Sequence, residues 1–288
     1  MEFSSRSGSD GSDCNDLTVS TTLQSVAFGA EPQLILLPVP ASVESWWLTA
    51  VALGGQGRYA QARAALDVVD RRTAGPVTDY ERRYASLAAS TRASFRRQTG
   101  WHAKAALDDG RALAIVAGLD SSPSVDAAVC DALTGLAADA LGVGRLSLGW
   151  RLLAECGERI GGSSPEGLWR QSIRLEWVSA ELALASGDFN RALRHADTAV
   201  ELSGDCGSVR HKVKSDLLHC AAMTGFDASE AAQRARAVFD QCMTFGLLPL
   251  AWASSMLIEG VTGTTATPNS SVLDTAIAIG GGVFRSPS

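Results

Sequence analysis

From Ser42 onward, apolar residues recur at three- and four-residue intervals in blocks separated by glycine-bearing breaks. That is the period of an amphipathic helix. Within Tyr59–Arg72, for example, Ala62, Leu66 and Val69 fall on one stripe. The same reading predicts helices over Ser42–Leu53 and Tyr59–Arg72, Thr78–Gln98 and Trp101–Ala117, and Ser124–Leu141 and Leu146–Ile160. It then predicts two helices within 165–203, joined at Gly187-Asp188-Phe189, followed by Ser208–Thr224 and Ala228–Phe245. Thr78 with Glu81 three residues on is a capping box, and Pro123 suits the first turn of a helix. Pro249 opens a further apolar helix reaching about Glu259.

The ends lack this pattern. Residues 1–16 are rich in Ser, Gly and Asp with almost nothing to bury, so 1–41 reads as a mostly disordered acidic extension. Within it, Leu34-Ile35-Leu36-Leu37 is expected to be extended, because Pro38 and Pro40 forbid a helix. The repeating region spans 42–260. Residues 261–288 read as a loop, a short helix over Val272–Ile279 and a frayed tail.

Breaks fall at Gly57, Gly100, Gly144, Gly187 and Gly225, spaced 43, 44, 43 and 38 residues apart. Near-constant spacing between paired amphipathic helices is the signature of stacked helical hairpins. The fourth hairpin carries Ala180, Gly187 with Phe189, Ala192 and Ala199, and the first carries Trp46, Ala50, Gly57, Tyr59, Ala62 and Leu66. These positions resemble the tetratricopeptide repeat, with its small residue in the first helix, Gly-x-aromatic turn and small residue in the second. The second hairpin keeps Gly100 and Ala105, and the third has Gly149 at the small position. The resemblance implies an all-α, right-handed α-solenoid of about five hairpins, its concave face built from the first helix of each. The period of about 43 residues exceeds the family's usual ~34, so helices longer by about a turn are expected.

Composition agrees with helices: 46% of residues are hydrophobic but only 6% aromatic, leaving Ala, Leu and Val to do the packing. The net charge of -6 gives no case for nucleic-acid binding. Residues 1–40 alone carry five acids against Arg6, which makes the N-terminal stretch a candidate intramolecular competitor for a basic groove. The six cysteines, at 14, 130, 156, 206, 220 and 242, form no close pair and read as reduced thiols. With no leader pattern and no membrane-length apolar run, a cytoplasmic protein is expected. The Ala/Arg/Gly-rich, Lys-poor composition suits a high-GC bacterium.

Candidate chemistry is sparse. His211 and His219 are eight residues apart with too few companions for a metal site, and no nucleophile elbow is present. Gly54-Gly55-Gln56-Gly57 lacks the Lys-Ser/Thr of a phosphate loop. No cofactor is expected. Arg82, Arg92, Arg96 and Arg97 form a basic helix face, and Arg210, His211, Lys212 and Lys214 a second basic cluster. Counting back from each turn glycine to the concave positions the resemblance implies gives Trp47, Arg174, Trp177, Glu181, Lys212 and His219 as a peptide groove. Such a groove suits an acidic peptide with an apolar anchor, although Trp47 and Trp177 could equally be packing between hairpins. The leading expectation is a protein-interaction scaffold that binds a peptide or partner domain. The alternatives are a regulatory or sensor module acting indirectly on transcription, and an enzyme without a recognisable motif.

Overall fold

The computed structural model describes residues 10–75, 77–163, 167–265 and 268–285, with side chains from Thr18 onward. All regular structure among them is helical: α1 Asp10–Phe28, α2 Val43–Gly55, α3 Tyr59–Arg72, α4 Asp79–Gln98, α5 His102–Val116, α6 Pro123–Gly142, α7 Leu146–Gly161, α8 Trp169–Ala185, α9 Phe189–Gly204, α10 Val209–Met223, α11 Ala228–Thr244, α12 Leu248–Thr262 and α13 Ser270–Ile279. Thirteen helices exceed the ten of five hairpins: α1 precedes the first hairpin, and the further helix expected from Pro249 and the short one expected over Val272–Ile279 are present as α12 and α13.

One turn recurs five times, at Gly57, Gly100, Gly144, Gly187 and Gly246, all with positive φ (64–85°). Gly57 N–H donates to Gly54 O at 3.1 Å and Arg58 N–H to Leu53 O at 2.9 Å, and the other four turns repeat this pairing. The left-handed glycine satisfies the helix's last carbonyls, and the next helix begins two residues after it. Three positions further on, the second helix always carries a small buried residue: Ala62, Ala105, Gly149, Ala192 and Ala251. These let the paired helices approach closely.

The fifth such turn therefore joins α11 to α12, and Gly225 is not one of the series. Gly225 lacks a positive φ. It is a glycine because a Cβ there would lie 2.2 Å from the Phe189 ring. The 38-residue interval thus ended on a glycine serving a different purpose.

Helices α2, α4, α6, α8, α10 and α12 pack in succession as one row, and each also meets its neighbours in the chain. The expected caps are in place, with the Thr78–Glu81 box starting α4 and Ser122 with Pro123 starting α6.

Both ends differ from expectation. Residues 10–28 are helix, and Leu23, Val26, Ala27 and Phe28 are buried in the main core. The Ser/Thr/Asp-rich composition hides this, because only one narrow stripe of α1 is apolar. Helix α1 packs against both α2 and α10. Residues 34–37 form no helix, as their prolines require, with Leu34 and Leu37 turned to the core. After α13, the expected frayed tail is instead fastened to the start of the repeats. Ala60 N–H donates to Gly280 O at 2.8 Å, Trp101 Nε1–H to Val283 O at 2.7 Å, and Arg285 N–H to Thr99 O at 2.9 Å. Phe284 packs on Trp252, ring centroids 5.2 Å apart. No helix among the described residues is long and apolar enough to cross a membrane.

Candidate functional site

The row of helices surrounds a cavity of about 400 Å³, closed on one side by the end of α1 and on another by α13. Two contacts join the fifth inner helix back to the N-terminal part: Val209 N–H donates to Gly29 O at 3.1 Å, and Arg210 Nη1 to Val51 O at 3.3 Å.

One wall is aromatic. Phe28 lies 5.5 Å from Trp47 and 6.1 Å from His211, and His211 stacks on Trp177 at 5.2 Å. Each indole N–H is engaged, Trp47 with Thr91 Oγ1 at 3.0 Å and Trp177 with Ser215 Oγ at 2.9 Å. The indoles are thereby fixed with their rings against the cavity. Burial, followed by the charges of Arg210, Arg170 and Arg174, holds the His211 pKa well below that of a free imidazole.

The adjoining wall is cationic. Arg170 Nη2 and Arg174 Nε each lie 3.1 Å from Asp131, one on either carboxylate oxygen, and Gln171 Nε2 donates to the same group at 3.2 Å. The Arg170 guanidinium also sits over the Phe28 ring at 4.4 Å, a cation–π contact. Arg210 meets no carboxylate among the described residues. Burial, with Arg170 and Arg174 beside it, lowers its pKa to about 10. Lys214 pairs with Glu181 at 2.9 Å and lies 5.4 Å above the Trp177 ring.

At the other end of the cavity, Arg97 pairs with the buried carboxylates of Asp109 and Asp139, the second at 2.9 Å. Burial works against the Arg97 charge, but the two acids more than offset it and raise its pKa. Burial drives the Asp109 carboxyl up to about 7 against the pull of Arg97. In the other four hairpins of the recurring turn, Leu66, Leu153, Ala196 and Ser255 take the place of Asp109, all of them buried. Room for the carboxylate comes from Gly135 on α6, whose Cβ would lie 2.2 Å from Asp109 Oδ2.

Of the residues expected in a groove, Trp47, Arg174, Trp177 and Glu181 line this cavity. Lys212 and His219 do not. Lys212 is exposed and pairs with Asp216 one turn on at 3.2 Å, while His219 pairs with Asp197 of α9 at 3.2 Å. Counting from Gly225 set the wrong phase for α10, where each residue of error rotates a side chain by ~100°. The residues that α10 turns inward are Arg210, His211 and Lys214. Nor is the basic helix face a continuous free surface. Arg82 donates to Ile115 O at 2.7 Å, Arg92 pairs with Asp70 at 2.8 Å, Arg96 pairs with Asp108 at 2.8 Å, and Arg97 points into the cavity.

Sequence reasoning missed Phe28 and Arg170. Arg170 had a signal, since it sits one turn before Arg174; Phe28, which ends a helix the composition concealed, had none. Cys130, Cys156, Cys220 and Cys242 are buried thiols, and Cys206 is half-buried. No group of three or more His, Cys, Asp or Glu among the described residues could hold a metal ion. Comparison with protein-family models, with curated proteins and with solved structures finds no match.

Proposed function

We propose that this chain is a cytoplasmic binding module, a tetratricopeptide-like α-solenoid folded back on itself, that takes an acidic ligand with an apolar part into its central cavity. The observation behind this reading is the pairing of two walls. Fixed indoles at Trp47 and Trp177 stand beside guanidinium groups that outnumber the carboxylates facing them. Aromatic anchors next to cations are what recognition of an acidic segment requires, and burial strengthens both contributions. In a protein-interaction role, the ligand is an acidic stretch of a partner carrying one apolar side chain.

A second reading has its own support. Flanking of the cavity by the end of α1 and by α13 favours a ligand of a few residues or a small molecule over a long peptide. That suits a sensor module whose closure reports occupancy to another factor, including one acting on transcription.

A fluorescence-polarisation screen of short Asp/Glu-rich peptides, each with one apolar residue, tests the main reading. Binding by the native chain is expected, with about tenfold loss in Arg174→Met at unchanged far-ultraviolet circular dichroism. Equal affinity of the variant and the native chain would exclude the cavity as the site.

A further inference from the structure

We propose that Arg170, Arg174 and Arg210 form the seat of a phosphate monoester. This rests on the reading of the cavity as a site for an acidic ligand, and it narrows that reading to one chemical group in one place.

Elsewhere around the cavity each cation has at least one acid of its own. Lys214 has Glu181, and Arg97 has both Asp109 and Asp139. Arg170 and Arg174 share Asp131 alone, and Arg210 has only the Val51 carbonyl at 3.3 Å. Three guanidinium groups against one carboxylate leave two positive charges uncompensated among the described residues. A phosphate monoester carries about -1.5 to -2 near neutral pH, which matches that surplus, whereas one carboxylate would leave half of it.

Donor geometry agrees. Arg174 Nε is 3.1 Å from Asp131 Oδ1 but is not aligned to hydrogen-bond with it. Its N–H is therefore free to turn to a better acceptor. Planar guanidinium forks match the oxygens of a phosphate in pairs, with shorter and stronger bonds than neutral donors make.

Phe28, Trp47 and Trp177 supply a surface for the organic part of the ester. A cavity of about 400 Å³ lies in the usual range for small-ligand sites, ~300–1,000 Å³. It holds an aryl ester or one phosphorylated side chain. The cluster is also poor design for stability alone. A desolvated arginine beside two others, without its own acid, is a liability that an apolar residue would remove.

Calorimetry and tryptophan fluorescence on the full chain test this with four probes: phenyl phosphate, inorganic phosphate, a phosphotyrosine-bearing peptide and benzoate. Phenyl phosphate is expected to quench the indoles and to bind about tenfold tighter than benzoate, with inorganic phosphate weaker than phenyl phosphate. In Arg210→Met the affinity for phenyl phosphate should fall by about tenfold while that for benzoate changes little. That variant should also melt higher than the native chain when no anion is added. Comparable affinity for phenyl phosphate and the peptide assigns a free ester; strong preference for the peptide assigns a phosphorylated side chain. If benzoate or acidic peptides bind as tightly as phenyl phosphate, or if Arg210→Met binds phenyl phosphate unchanged, the phosphate seat is overturned while the wider reading stands. If neither these probes nor any acidic peptide binds, both fall.

Discussion

His211 stacks on Trp177 with planes 22° from parallel, while its Nδ1 lies 2.8 Å from Ser208 Oγ. This packing keeps the imidazole neutral, with its pKa well below the ordinary value through burial and then the neighbouring arginines. An unfolded chain takes up that proton near pH ~6.5 and the folded chain does not. The stability is present above that pH and lost as pH falls through it, at about 1.4 kcal/mol per pH unit. Urea unfolding of His211→Gln between pH 5 and 7 should lack this loss.

Asp109 acts in the opposite direction. Its folded pKa is raised to about 7, against ~3.9 when unfolded. The folded state keeps a proton that the unfolded state releases, so this contribution is present at about pH 4 and is lost as pH rises toward 7. Over about pH 4.5–6.5 the two trends oppose each other. The native chain is expected to be nearly flat there, His211→Gln to lose stability as pH rises, and Asp109→Asn to lose it as pH falls. Parallel profiles for all three proteins would refute the assignment.

Gly246 and Gly225 should respond differently to alanine. At Gly246, φ is +64°, and forcing a Cβ into that region costs ~1–2 kcal/mol whatever its neighbours. At Gly225 the obstacle is the Phe189 ring, and overpacking costs ~1–3 kcal/mol. Adding Phe189→Leu should recover part of the Gly225→Ala loss and none of the Gly246→Ala loss, measured as denaturation midpoints in a double-mutant cycle.

Helix α1 should behave as part of the core and not as a removable competitor. Leu23 is fully buried, so Leu23→Ala is expected to cost ~2–5 kcal/mol. Removing residues 1–28 should lower the melting temperature and raise binding of an apolar dye. A truncated chain as stable as the native one, with tighter ligand affinity, would instead support the competitor idea.

Much of this architecture was legible because its determinants are local. A glycine, an aromatic or apolar residue two positions on and a small residue five positions on mark Gly57, Gly144 and Gly187 directly, while Gly100 keeps the small residue but has His102 in the aromatic's place. The same signature exists at Gly246, Leu248 and Ala251, but it is buried in the apolar run GLLPLAWA, where the proline draws attention as a helix start. Gly225 misled for the converse reason: its cause is a ring 36 residues away. The cavity was legible only through helix phase. Trp47, Arg174, Trp177 and Glu181 line the cavity when counted back from Gly57 and Gly187, while Lys212 and His219 inherit the Gly225 error. The closures had no sequence signature, since Arg210 with Val51 and Trp101 with Val283 join residues 159 and 182 positions apart.

The segment after α13 changes how the molecule comes apart. An open array of repeats sheds its terminal units first, because each outer repeat has a neighbour on one side only. Here the last described residues are hydrogen-bonded to the turn between α4 and α5, and Gly280 to the start of α3. Among the described residues, the segment after α13 is not a free end that could peel away. Loosening the segment after α13 breaks contacts of α3 and of the α4–α5 turn as well, so hydrogen exchange should find α13 and the start of α3 opening together, where an open array would show a gradient along its length.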